Sequence, residues 1–119
     1  MATSSLKPSV TASSTSPRLS LQSEVIATDS STIRSLDWER SRFDIEFGLR
    51  NGTTYNSFLV RGERTALIDT SHLKFEHSWP ALLQEQIDPK DIDVLIVSHT
   101  EPDHSGLVGH LLELNPDLE

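Results

Sequence analysis

Val94-Leu95-Ile96-Val97-Ser98-His99-Thr100-Glu101-Pro102-Asp103-His104-Ser105-Gly106 is the stretch that decides how this chain folds. Its first four residues are a short, continuous apolar run rich in β-branched side chains, the pattern of a strand buried on both faces. Beyond Gly106, Leu107, Val108, Leu111, Leu112 and Leu114 recur at helical spacing. The local architecture is therefore strand, loop, helix. Four potential metal ligands, His99, Glu101, Asp103 and His104, lie in that loop. Imidazole together with carboxylate suits iron, zinc or manganese. The alternate spacing of His99, Glu101 and Asp103 predicts side chains on one side of an extended loop. Adjacent Asp103 and His104 are expected to diverge, so that they can serve a second ion. Gly106 removes a side chain where the loop must pass close to the site. Taken singly, Asp103 reads as a helix cap and His99 as a strand-end histidine bonded to backbone. Together, two carboxylates and two imidazoles clustered without a cation carry costs of repulsion and desolvation that a cation relieves. The cluster reads as a metal site.

Working outward, residues 79–86 predict a helix with Pro80 in its first turn, where a missing N–H is tolerated. Further upstream the pattern is that of a meander. Gln22 to Ala27 alternates weakly, and Phe43, Ile45 and Phe47 share one face of an alternating run. Asn51-Gly52 suits a tight hairpin, because both positions tolerate positive φ, and Tyr55 to Val60 reads as the returning strand. After a turn at residues 61–64, Ala66, Leu67 and Ile68 lead to Asp69. Residues 1–21 are Ser/Thr-rich and poor in apolar side chains, and read as a disordered tail. Residues 22–119 are the structured part, an incomplete domain of α/β class. Leu111 to Glu119 leaves the helix pattern at Asn115-Pro116 with no closing strand.

Composition narrows the function. With 18 acidic against 10 basic residues and a net charge of -8, a nucleic acid or an anionic membrane surface is a disfavoured partner. The sequence has no cysteine, which removes disulfides, thiolate catalysis and Cys-ligated metal centres. No run approaches the roughly 18 apolar residues of a membrane span. The expected location is the cytoplasm, with the chloroplast stroma as the alternative if the Ser/Thr-rich tail is a transit peptide.

The run VLIVSHTEPDHSG resembles the metal loop of the metallo-β-lactamase superfamily, whose hydrolases carry His-x-His-x-Asp-His. It is similar specifically to the flavodiiron variant, in which glutamate replaces the second histidine, as at Glu101. Asp44-Ile45-Glu46, Gly52-Thr53-Thr54-Tyr55-Asn56-Ser57 and Leu67-Ile68-Asp69-Thr70 resemble the leading strands of the same domain, so the likeness covers residues 22–119. Its flavour is that of the diflavin flavodiiron proteins of oxygenic phototrophs. The resemblance implies the N-terminal part of an αβ/βα sandwich.

By that resemblance, His99 and Glu101 ligate one iron and Asp103 and His104 the other, with the remaining ligands downstream of residue 119. Asp69 matches an aspartate that supports the metal loop without binding metal itself, although a turn aspartate after a strand reads the same way. The implied activity of the parent protein is reduction of dioxygen, with nitric oxide as a second candidate substrate, at a diiron centre supplied with electrons through FMN. The flavin domain, a nicotinamide or ferredoxin donor and a homodimer are implied partners, all outside this chain, and the chain alone is expected to be inactive. Added carboxylate makes the site harder and more anionic, which favours ferric iron. A dinuclear zinc hydrolase on the same fold is the rival reading, separated by Glu101, and a non-catalytic truncated paralogue is another. His72, His77 and His110 read as surface residues, and Trp38 and Trp79 as core or rim packing.

Overall fold

The structure, a computed structural model, describes residues 18–41 and 52–119. Five strands form one sheet in the order β1-β2-β3-β4-β5. They are β1 (Leu19–Ala27), β2 (Ser30–Asp37), β3 (Thr53–Val60), β4 (Ala66–Ile68) and β5 (Val94–Ile96). The first four form an antiparallel meander, and β5 lies parallel to β4. Between β4 and β5 the chain passes through α1 (Ser78–Gln86), and after β5 come a short α2 (Pro102–Ser105) and α3 (Val108–Leu114). The meander, the helix over residues 79–86 and the strand-loop-helix unit are thus present as expected.

Three expectations need correction. The tail does not extend to residue 21, because Leu19, Ser20 and Leu21 are strand and Leu21 is wholly buried in the core. The partner of Tyr55 to Val60 is β2, in the register Ile33↔Ser57, Ser35↔Tyr55 and Asp37↔Thr53. The expected strand at Phe43, Ile45 and Phe47, with Asn51, lies outside the described residues; Gly52 is described, with φ +73. The third correction is β5, which is not buried on both faces. Val94 and Leu95 are half-buried while Ile96 and Val97 are exposed, since β5 is the last strand of the described sheet. As expected, no strand follows α3 among the described residues, although residue 119 is tied back to β5. Glu119 N–H donates to Asp93 O at 3.2 Å and Leu95 N–H donates to Glu119 O at 2.8 Å, the bonding of a parallel neighbour.

The core lies on one face of the sheet. Leu21, Ile33, Tyr55, Leu59 and Leu67 meet Trp79, Leu82 and Leu83 of α1, with Phe75, Ile92, Leu107 and Leu111 completing the cluster. Each large side chain so buried contributes about 1.5–3 kcal/mol by leaving water. Trp79 also satisfies its one donor, giving Nε1–H to Ser57 Oγ at 3.0 Å. Toward the end of the sheet that carries the loop the inward residues become polar. Ser35 meets Ser71 hydroxyl to hydroxyl at 2.7 Å, and buried Asp37 accepts from Tyr55 Oη at 2.7 Å and Lys74 Nζ at 2.8 Å.

Burial alone would raise the Asp37 carboxyl, but Lys74, Tyr55 and the Glu39 N–H outweigh it and hold the group below its ordinary 3.8. Burial likewise pushes the Tyr55 phenol up to about 12, so it stays protonated and serves as a donor. A depressed folded pKa means the Asp37 contribution is complete above the unfolded value and is lost as pH falls through the lower folded one. Asp37→Asn should therefore cost about 1.5–3 kcal/mol at pH 7, the loss of charge-assisted hydrogen bonds. Its deficit against wild type should shrink on acidification below pH 3.8. Urea denaturation of both proteins at pH 7 and in that acid range measures the gap; a gap that stays constant would contradict this account.

Candidate metal centre

Parallel pairing of β4 with β5 sets Ile68 beside Ile96, so both strands release their chains at one point on the sheet edge. Asp69 and the loop of residues 97–106 therefore emerge together, and the Asp69 N–H donates to Ile96 O at 2.8 Å. Asp69 sits at φ +64, the left-handed region that an aspartate tolerates better than most residues. Its carboxylate faces the loop. Oδ1 accepts from the Ser98 N–H at 2.8 Å, and Oδ2 accepts from Ser98 Oγ at 2.5 Å. Oδ2 also lies 2.9 Å from His104 Nδ1.

Burial pushes the Asp69 carboxyl up, but the Ser98 hydroxyl, His104 and the Ser98 N–H more than offset this and hold it below its ordinary value. An ionised carboxylate only accepts, so His104 Nδ1 carries the hydrogen and, in the neutral ring, Nε2 keeps its lone pair. Nε2 lies 3.5 Å from Asp103 Oδ2. This arrangement, an imidazole oriented through its other nitrogen by a buried carboxylate, is how metal-binding histidines are commonly held.

The remaining pair lies further out. His99 Nδ1 is 3.3 Å from Glu101 Oε1, with side chains 58% and 62% exposed. The two imidazole rings have centroids 5.4 Å apart. The loop is extended only as far as Glu101, after which Pro102 opens the helical turn α2, closed by His104 N–H and Ser105 N–H donating to Glu101 O at 2.9 and 3.0 Å. The expected alternation of His99, Glu101 and Asp103 along one extended face therefore fails, because Asp103 and His104 sit on a helix. They also approach one another instead of diverging. The four side chains form two imidazole–carboxylate pairs, and among the described residues no group of three or more converges on a single point that could hold an ion.

The donor chemistry tests whether a metal pair fits. Two ligands each about 2.1 Å from one ion, at 90–109° to each other, lie about 3.0–3.4 Å apart. The 3.3 and 3.5 Å separations are close to that, so each pair fits as half of a coordination shell that other residues must complete.

Several neighbours went unrecognised in the sequence. Ser98 and Thr70 bind the loop through hydroxyls, a role that composition does not signal. Gly106 is required, for a different reason than proximity to the ligands. A Cβ there would lie 2.5 Å from Pro102 O, 2.7 Å from Ser71 O and 2.9 Å from Leu73 N, all backbone. His72, expected at the surface, is half-buried and stacked on Tyr55 with centroids 5.9 Å apart. It lines a cleft of about 310 Å³ together with Arg40, Lys74, Glu101 and Asp103. Among the described residues no helix is long and apolar enough to cross a membrane.

Comparison with known proteins agrees with the loop. Residues 50–117 match the family described as the Metallo-beta-lactamase superfamily. Diflavin flavoprotein A 1 of Synechocystis sp. is 64% identical over 101 residues, covering 85% of this chain and 18% of the relative. The anaerobic nitric oxide reductase flavorubredoxin of Aliivibrio fischeri is 43% identical over 81 residues, 67% of this chain and 16% of that protein. Among solved structures, a metal-soaked flavodiiron core from Synechocystis sp. superposes with a TM-score of 0.76 at 32% identity, over 86% of this chain and 25% of that one. The chain spans less than a fifth of the length of these curated relatives. It belongs to the metallo-beta-lactamase superfamily, on the flavodiiron branch that the Glu101-containing loop predicts.

Proposed function

We propose that this chain supplies His99, Glu101, Asp103 and His104 to the iron pair of a flavodiiron oxidoreductase that reduces dioxygen. The observation that carries the reading is the His99–Glu101 pair, a carboxylate 3.3 Å from an imidazole at the position where a hydrolase of this superfamily has a second histidine. When bound, the iron pair supplies the redox chemistry, with electrons arriving through FMN held outside this chain. The residues of this chain have separate tasks. His99 and Glu101 would hold one ion and Asp103 and His104 the other, while Asp69 orients the His104 ring and fixes Ser98 at the start of the loop. His99 and Glu101 are more exposed in this chain than Asp103 and His104, so an ion held by the outer pair would be the more open to solvent and substrate. A flavin domain, a nicotinamide or ferredoxin donor and a second subunit belong to the same proposal.

Dioxygen is the substrate that the resemblance of the loop implies, and nitric oxide is the second candidate, the substrate named for the flavorubredoxin relative at 43% identity. The test is elemental analysis of full-length protein carrying this segment, purified from iron-replete and zinc-replete cultures, with donor-driven uptake of dioxygen and of nitric oxide measured on each. Two irons per chain and faster dioxygen uptake are expected. Two zincs in both preparations would replace this reading with the hydrolase, and faster nitric oxide consumption would change the substrate.

A further inference from the structure

Asp69 and Thr70 are consecutive, yet both grip the metal loop. In an extended strand, consecutive side chains point to opposite faces. The left-handed turn at Asp69, φ +64, breaks that alternation and brings the Thr70 hydroxyl round to the loop. Thr70 is wholly buried, 1% exposed. Its N–H and its Oγ1 both donate to His104 O, each at 2.8 Å, and Oγ1 accepts from the Leu107 N–H at 3.1 Å. The break between α2 and α3 places the His104 carbonyl in a last turn and the Leu107 N–H at a helix start. Those are the positions where backbone groups lack intrahelical partners. One hydroxyl serves both.

We propose that Thr70 is a positioning residue for the metal loop: its hydroxyl holds open the α2–α3 break and fixes the main chain of His104, while Asp69 fixes that residue's ring. The proposal rests on residues 98–106 being a metal loop only for its effect on metal; the effect on the loop itself is independent. A ligand whose ring is oriented but whose backbone drifts loses its alignment with Asp103, because the 3.5 Å separation of their donor atoms depends on both. The role needs the hydroxyl and not the methyl, so Thr70→Ser should preserve it and Thr70→Val, of nearly the same shape, should abolish it.

The experiment compares wild type, T70V, T70S and a control, S57A, which removes another buried hydroxyl, one that bonds Trp79 Nε1 and Ile33 O in the core and no group of the loop. Amide hydrogen exchange of the chain is followed by NMR, and iron(II) is titrated anaerobically by calorimetry into full-length protein carrying this segment, which supplies the ligands this chain lacks. In T70V the Leu107 amide and those of residues 98–105 should exchange at least about tenfold faster relative to the sheet amides, the loss of about one buried hydrogen bond. Iron(II) affinity should fall about tenfold to a hundredfold. T70S should stay near wild type, and S57A should lower overall stability without singling out the loop. Wild-type exchange in T70V, or an equal loop effect in S57A, overturns the proposal. If wild type takes up no iron(II) while T70V still loosens the loop, the metal reading fails and the positioning role stands. Should T70V not fold, wild type alone decides. The Thr70 hydroxyl proton must be protected enough to be seen and must show an Overhauser contact to the Leu107 N–H, and its absence overturns the assignment.

Discussion

Asp69→Ala is expected to weaken iron binding by a full-length protein carrying this segment by about tenfold to a hundredfold, the usual cost of losing the partner that orients a ligand. The truncation removes the acceptor for three donors at once, Ser98 N–H, Ser98 Oγ and His104 Nδ1. Ser98 begins the loop and His104 ends it, so both anchors go together and the ring of His104 is free to turn its Nε2 away from Asp103. A second cost comes from the backbone. At φ +64 alanine is less well accommodated than aspartate, and the left-handed conformation costs an ordinary residue about 1–2 kcal/mol. Asp69→Asn separates the two effects. It keeps the conformational tolerance and one oxygen acceptor but places an amide donor where a carboxylate oxygen stood. Its affinity should fall between those of wild type and Asp69→Ala. Calorimetric titration with iron(II) gives the numbers; unchanged affinity in Asp69→Ala would mean that the carboxylate does not position the ligand.

The parts of this arrangement that the sequence made legible are those with hydropathy or charge patterns. The run Val94 to Val97, the stripe at Leu107 and Leu111 and the four clustered ligands all announce themselves because each repeats one kind of chemistry. Strand β2 does not. Its inward face carries Ile33, Ser35 and Asp37, a period of two in burial that hydropathy conceals, since two of the three are polar and are satisfied only by Ser71, Tyr55 and Lys74 from elsewhere in the chain. Such a strand cannot be read until its partners are known. The same holds for the geometry of the loop. Spacing suggested an extended segment, but Pro102 following Glu101 begins a helix, and a helix start depends on backbone angles that spacing does not encode. Thr70 is the extreme case, because the left-handed turn that aims its hydroxyl occurs at the residue before it.

If the proposed function holds, replacing Glu101 with histidine in a full-length protein carrying this segment is expected to abolish dioxygen reduction and to shift that protein from iron toward zinc, while leaving the fold intact. The fold uses Glu101 only through its main chain. Its carbonyl accepts from His104 N–H, Ser105 N–H and Ser105 Oγ, whereas its side chain is 62% exposed and makes no capping hydrogen bond. A histidine there keeps the loop length, the Pro102 helix start and every one of those bonds, so stability should change by no more than about 0.5 kcal/mol. What changes is the donor set. The outer pair goes from imidazole plus carboxylate to imidazole alone, one negative charge leaves the site, and the hard anionic ligand that favours ferric iron over a borderline divalent ion is gone. The inner pair, Asp103 and His104, keeps its support from Asp69 and Thr70, which is why the change should appear as exchange of metal rather than collapse of the site. Metal content by elemental analysis, thermal denaturation and dioxygen uptake on the same preparations separate the outcomes. If wild type and Glu101→His carry the same metals and reduce dioxygen equally, the carboxylate does not select the metal and the redox assignment loses its basis. If the variant unfolds, the side chain has a structural task that its exposure does not reveal.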